Sequence, residues 1–215
     1  MKKQGMDNFS SSGIYALTAE NLSKGRSNIQ ILDALIEAGI TFFQYREKEK
    51  KAKEMYEECR IIREKTQRAG VTFIVNDHID LAMAVKADGV HIGQEDLPPE
   101  VVRKLIGNTL ILGLSTHNPE QMRLAECCEA VDYIGVGPVF ATKTKKDVCD
   151  AVGLDYVRYV ANNSKLPFVA IGGIKEENIA DVSNAGAKTI AVVSDIVGAE
   201  DIVAKVRRLR QQMSS

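Results

Sequence analysis

Eight short apolar runs recur along the chain, each followed by a longer amphipathic stretch, and this rhythm constrains the fold more than any other feature. The runs span 13–17, 42–44, 72–75, 89–92, 110–114, 133–136, 168–171 and 189–193. Their shortness and β-branched content read as strands. The intervening segments read as helices at 29–38, 53–69, 80–86, 100–105, 119–128, 155–162, 177–185 and 202–210. In the first of these, Ile29, Leu32, Leu35 and Ile36 fall mostly on one face. Gly39 and Gly70 supply left-handed stops, and Pro98-Pro99 and Pro119 sit where a first helical turn tolerates proline. Eight strand–helix units in succession imply a parallel sheet with helices outside it. Strands covered on both faces are nearly continuous in apolar residues, as 168–171 and 189–193 are.

Closing the sheet removes every exposed edge, and 215 residues lie at the compact end of the range for a single-domain (β/α)8 TIM barrel. The competing architecture is an open doubly wound sheet. The barrel is expected over 13–215, preceded by a loose, flexible polar tail over 1–12 with no apolar signal core.

Charge excludes some partners. Lys and Arg number 28 and Asp and Glu 29, which leaves no broad basic face for nucleic acid. No apolar run is long enough to span a membrane. Cys59, Cys127, Cys128 and Cys149 match no zinc spacing and make a poor disulfide framework. Reduced thiols in a cytoplasmic protein are the expectation, with small-molecule substrates. The oligomeric state is left open, a homo-oligomer included.

In a barrel of this kind chemistry gathers at the C-terminal ends of the strands, and the polar residues cluster there. Gln44, Arg46 and Lys48 alternate after the second strand, so extended backbone turns all three to one side. Such a row can be a solvated edge. At a catalytic rim, two cations and an amide can instead grip a diphosphate. Asp77 and Asp96 follow adjacent strands. Each could cap a helix; together they suit a hard cation such as Mg2+, which prefers oxygen ligands and retains waters. Gly172-Gly173 and Val193-Ser194 follow the last two strands, where backbone N–H groups commonly cradle phosphate. Thr142, Thr144 and Lys145 lie in a long loop that is either a mobile solvated segment or a lid. His91 reads as structural or rim-positioning, and His117 as the one candidate acid–base histidine.

These pieces, in this order, resemble the thiamine-phosphate synthase (thiamine-phosphate pyrophosphorylase) family over residues 13–196. The resemblance is carried by Gln44-Tyr45-Arg46-Glu47-Lys48, Asn76-Asp77, and Ala87-Asp88-Gly89-Val90-His91-Ile92-Gly93-Gln94-Glu95-Asp96. Gly13-Ile14-Tyr15, Gly113-Leu114-Ser115, Asp132-Tyr133-Ile134-Gly135-Val136-Gly137-Pro138-Val139-Phe140, Thr142-Lys143-Thr144-Lys145 and Ala170-Ile171-Gly172-Gly173-Ile174 complete it. The resemblance implies a transferase that condenses hydroxymethylpyrimidine diphosphate with hydroxyethylthiazole phosphate. It implies that Gln44 contacts the pyrimidine and that Arg46, Lys48, Asn76 and Lys145 hold the diphosphate. It further implies Mg2+ on Asp77 and Asp96, Ser115 by the departing diphosphate, Ser115 and Lys145 as the catalytic residues, and Thr142 and Thr144 facing the thiazole. Gly173, Val193 and Ser194 would bind the thiazole phosphate, largely through backbone.

Asp195 departs from the small residue usual for the family after Ser194, and its carboxylate is expected to point outward or cap the next helix. The stretch 147–152, which includes Cys149, is also unusual for a lid. Two rival readings are a thiazole tautomerase of the same fold, with His117 moving a proton, and a catalytically silent ligand-binding barrel. The tautomerase needs no diphosphate clamp, and a silent barrel would be expected to lack part of the site, whereas nothing obvious is missing from this one.

Overall fold

Parallel strands need a crossover between each pair, and in this chain helices supply it. The computed structural model describes residue 3 and residues 5–142 and 150–213. Its strands are β1 (Ile14–Leu17), β2 (Phe42–Tyr45), β3 (Thr72–Asn76), β4 (Gly89–Ile92), β5 (Ile111–Thr116), β6 (Tyr133–Val136), β7 (Phe168–Ile171) and β8 (Thr189–Val192). They form a closed parallel barrel in sequence order. Closure is made by β1 against β8, with Ile14 opposite Ile190 and Ala16 opposite Val192. The barrel expected from the strand–helix rhythm is therefore the fold.

The helices are α1 (Met6–Ser12), α2 (Asn28–Glu37), α3 (Ala52–Ala69), α4 (Ile79–Ala84), α5 (Pro99–Ile106), α6 (Pro119–Cys127), α7 (Gly153–Asn163), α8 (Ile179–Asn184), α9 (Ser194–Val197) and α10 (Ile202–Met213). Local chemistry sets several of their ends. Ser27 and Gln30 form a reciprocal capping box at the start of α2. Asn118 accepts a hydrogen bond from the Gln121 N–H at the start of α6. Gly70, at φ 68°, ends α3 in the left-handed region.

Period-2 alternation divides the core in two. Ile14, Ala16, Phe43, Val75, Val90, Leu112, Ile134 and Val192 face the helical shell. Tyr15, Leu17, Phe42, Ile74, Ile111, Tyr133, Val169 and Ala191 fill the barrel interior. Acidic residues just before two strands tie neighbouring units together. The Asp88 carboxylate accepts from the Phe73 N–H and from Arg63, and Asp132 does the same with the Leu112 N–H and Arg103.

The N-terminal segment differs from expectation. Residues 6–12 are a helix rather than a loose tail, and Met6 and Phe9 are buried with the barrel interior. The sequence disguises this because only two apolar side chains, three positions apart, carry the buried face. Phe9 enters the floor of the barrel, with its ring centroid 4.8 Å from that of Tyr133 and 5.2 Å from that of Phe42. Hydrogen bonds fix the helix at the same end. Asn8 Nδ2 donates to Thr72 Oγ1 at 3.0 Å, and Thr189 Oγ1 donates to the Phe9 carbonyl at 3.1 Å. The short helix α9 was likewise not anticipated; its four residues are too few to show a period. If α1 is part of the packed barrel, Phe9→Ala should lower the unfolding free energy by about 3 kcal/mol in a denaturant titration. An unchanged midpoint would count against that role.

Candidate active site

The rim at the C-terminal ends of the strands begins with the loop after β2. Alternation continues past the strand. The Tyr45 hydroxyl donates outward to Glu58 of α3 at 2.7 Å, and Glu47 accepts from Asn28 Nδ2 of α2 at 2.8 Å. Gln44 and Arg46 face the other way. Gln44 is 3% exposed and donates from Nε2 to the Tyr15 hydroxyl at 2.7 Å. The backbone of Arg46 is clamped by Thr18, whose hydroxyl accepts from the Arg46 N–H at 2.7 Å and donates to its carbonyl at 3.2 Å. Thr18 is fully buried, and no sequence motif marked it.

Asp77 follows β3 in the left-handed region, at φ 62°. Asp tolerates this conformation better than most residues, at some cost in strain. Its N–H donates to the His91 carbonyl at 2.9 Å, which fixes the turn against β4. The Asp77 carboxyl is held above the ordinary carboxylate range, first by burial and then by the negative charge of Asp96. Lys48 and Arg46 pull it the other way. Burial lowers the Arg46 guanidinium, while Asp77 opposes that shift. Two carboxylates and two cations predicted from separate strand ends thus share one electrostatic neighbourhood. Asp96 Oδ2 also accepts from the Gly93 N–H at 2.6 Å, which shapes the loop after β4.

Among the described residues, no group of three or more His, Cys, Asp or Glu converges as a metal cage. An Asp77/Asp96 pair fits a hard ion that takes its remaining ligands from water and substrate oxygens, as Mg2+ does.

Ser115 lies on β5, and its hydroxyl is 3.0 Å from His91 Nε2. The other ring nitrogen of His91 is 2.9 Å from the Tyr133 hydroxyl, which is 2.9 Å from that of Tyr15. His91 is thus buried in a polar layer above the aromatic floor. Gln94 Nε2 donates to the Ser115 carbonyl at 2.6 Å and steadies the rim from the next loop. His117 Nδ1 is hydrogen-bonded to the Gly137 carbonyl, and the residue's N–H donates to Gln121.

The opposite side of the rim is built from the loops after β6, β7 and β8. Val139 and Phe140 donate to the carbonyls of Ile171 and Gly172, which zips two loops together. Gly172 and Gly173 have φ 105° and 65°, and a Cβ on Gly173 would lie 2.8 Å from the Ala141 carbonyl. Only glycine suits that position. Val193 and Ser194 stand at the start of α9. Thr142 is half-buried at the edge of the described chain. Thr144 and Lys145, with Cys149, lie outside the described residues.

Asp195 neither points into open solvent nor caps α10; Asp201 Oδ1 caps α10 by accepting from the Ala204 N–H. Asp195 instead accepts from the Glu176 N–H at 2.9 Å and from Lys205 at 3.2 Å. It therefore pins the loop after β7 to the loop after β8.

The family model for thiamine monophosphate synthase matches residues 14–196. The chain belongs to the thiamine monophosphate synthase family. It is 61% identical over 214 residues to a thiamine-phosphate synthase of Pelotomaculum thermopropionicum, covering 100% of this chain and 98% of that one. It is 51% identical over 208 residues to one of Caldicellulosiruptor saccharolyticus, covering 97% and 94%. A solved thiamine phosphate pyrophosphorylase from Pyrococcus furiosus superposes with a TM-score of 0.86 at 34% identity, covering 96% of this chain and 97% of that one. A 3-hexulose-6-phosphate synthase, at 14% identity and a TM-score of 0.62, shares the fold alone.

In this chain the Asp195 carboxylate is engaged by two partners of its own. Asp195→Ala should cost about 1 kcal/mol of stability in chemical denaturation. Phosphate affinity should be unchanged, and a large gain in affinity by titration calorimetry would show that the carboxylate repels the ligand after all.

Proposed function

We propose that this chain joins hydroxymethylpyrimidine diphosphate to hydroxyethylthiazole phosphate, yielding thiamine phosphate and diphosphate. The observation that carries this reading is the shared electrostatic neighbourhood of Arg46, Lys48, Asp77 and Asp96 at the ends of β2, β3 and β4. A diphosphate needs cations, and a bridging metal needs carboxylates; this corner of the rim offers both. No described helix is long and apolar enough to cross a membrane.

In the reaction, the bond between the pyrimidine methylene carbon and the diphosphate oxygen breaks, and its electron pair leaves with the diphosphate. The electron-rich aminopyrimidine delocalises the positive charge left on the carbon. The thiazole nitrogen then donates its lone pair to form the carbon–nitrogen bond. Such a path needs no strong base and no protein nucleophile. It requires that the leaving group be stabilised and the thiazole nitrogen be held in line, and positioning of that kind can supply about 7–11 kcal/mol.

Each residue then has a role. Gln44 orients the pyrimidine from the buried end of β2. Arg46, Lys48 and Asn76 hold the diphosphate oxygens, with Lys145 joining them as the family resemblance implies. Ser115 approaches the departing group from β5. Thr142 and Thr144 face the thiazole, and Gly173, Val193 and Ser194 hold its phosphate through backbone N–H groups. Asp77 and Asp96 would hold Mg2+, which supplies charge neutralisation at the diphosphate when bound.

Purified protein given both substrates and Mg2+ should release diphosphate, and a chelator should suppress that release. Lys48→Ala and Asp96→Ala should each cut the rate about a hundredfold, the scale for losing one major electrostatic group. Full activity in either variant would show that the diphosphate binds elsewhere.

A further inference from the structure

A buried hydrogen-bond chain crosses the barrel interior from one side of the rim to the other. It runs from Gln44 on β2 through Tyr15 on β1, Tyr133 on β6 and His91 on β4 to Ser115 on β5, at 2.7, 2.9, 2.9 and 3.0 Å. Space for it is made by two strand glycines. His91, Gly113 and Tyr133 lie on one register row, so a side chain at position 113 would stand between the two rings. A Cβ there would sit 2.4 Å from His91 Nδ1 and 2.5 Å from the Tyr133 hydroxyl. Gly135, opposite Ser115 in the register, would bring a Cβ to 3.2 Å from the His91 ring. Glycine inside a strand weakens it unless something must approach closely, and here the polar chain does so.

The chain has a direction. Each hydroxyl has one proton, and a neutral imidazole has one donor and one acceptor nitrogen. Gln44 donates from Nε2 to the Tyr15 oxygen. Tyr15 must then donate to Tyr133, and Tyr133 to His91 Nδ1. With Nδ1 accepting, His91 carries its proton on Nε2 and donates to Ser115 Oγ. The Ser115 proton is left to point out of the chain, and the carbonyl oxygen of Gln44 takes no part in it. Burial pushes both phenols above their usual range, so both keep the proton the chain requires.

We propose that Tyr15, Tyr133 and His91 are positioning residues that impose one hydrogen-bond direction across the barrel, so that Gln44 presents a carbonyl to an exocyclic amine of the substrate while Ser115 presents a proton to an anionic leaving group. This rests on the functional reading given above for the two ends. The reverse direction would turn the Gln44 amide N–H groups toward the substrate and commit the Ser115 proton to His91. That arrangement suits a serine nucleophile and would leave the leaving group without this donor. A buried, fully paired chain holds its direction because reversing it requires every member to turn together.

The test reads the imidazole directly. Protein labelled with 15N-histidine contains three such rings, and single replacements of His78 and His117 assign the third to His91. The expected spectrum of the substrate-free wild type shows Nε2 protonated and Nδ1 bare. Tyr133→Phe removes the donor to Nδ1, so His91 should lose its single tautomer and show intermediate shifts at both nitrogens. The same variant should lower kcat about tenfold or more, equivalent to ~1.4 kcal/mol. Its KM for the thiazole phosphate should be unchanged, because that ligand binds across the rim. Tyr15→Phe, which cuts the chain one link earlier, should also lower kcat and provides a second variant if the first folds poorly. An Nδ1–H tautomer in the wild type, or unaltered kcat in both folded variants, would overturn the proposal. Because the tautomer is read without substrates, an Nε2–H signal in protein that releases no diphosphate supports the direction and overturns only the functional reading.

Discussion

Pairing of β1 with β8 closes the sheet, and that closure gives the barrel a fixed interior volume in which every inward position is allotted. Large rings at Phe9, Tyr15, Phe42 and Tyr133 occupy the floor. Gly113 and Gly135 yield space in the middle to His91. The outward positions carry a second core that binds the helices. The rim is then the place where the alternation opens to solvent, and a side chain such as Arg46 reaches the site because its strand has already assigned it that face.

The fold was legible because parallel strands buried on both faces leave long apolar runs, and helices between them leave a different period. What was not legible follows from the same physics. The helix Met6–Ser12 buries only Met6, Phe9 and Ser12, so its period cannot be told from chance in a polar segment. Its burial depends on an opening in the barrel floor, which exists only once eight strands have closed. Helix α9 is one turn long and is set by the chain leaving β8, not by a pattern of its own.

The candidate site divides in a similar way. Arg46 and Lys48 could be expected near Asp77 because the loop that carries them leaves β2 beside β3. The neighbourhood of Asp77 and Asp96 could be inferred because β3 and β4 are adjacent in both sequence and space. The pairings of Thr18, Tyr15 and Tyr133 were not legible because their partners lie far along the chain; Tyr15 and Tyr133 are 118 residues apart. The available signal was glycine inside strands at positions 113 and 135, which marks close approach without saying what approaches. The environment of Asp195 depended likewise on Glu176 and Lys205, neither of them its sequence neighbour.

Barrels of this kind are often described as having a stability face and a function face at opposite ends. Two residues in this one belong to both. The rings of Tyr15 and Tyr133 pack around Phe9 in the floor, while their hydroxyls belong to the polar layer above it. Phenylalanine at either position would keep the ring packing but would strip Gln44 Nε2 or His91 Nδ1 of its buried partner, so selection for thermal robustness would resist it. Selection for turnover would resist it for the sake of the same oxygen atom. At these two positions robustness and activity therefore depend on one atom, and neither can be gained there at the expense of the other.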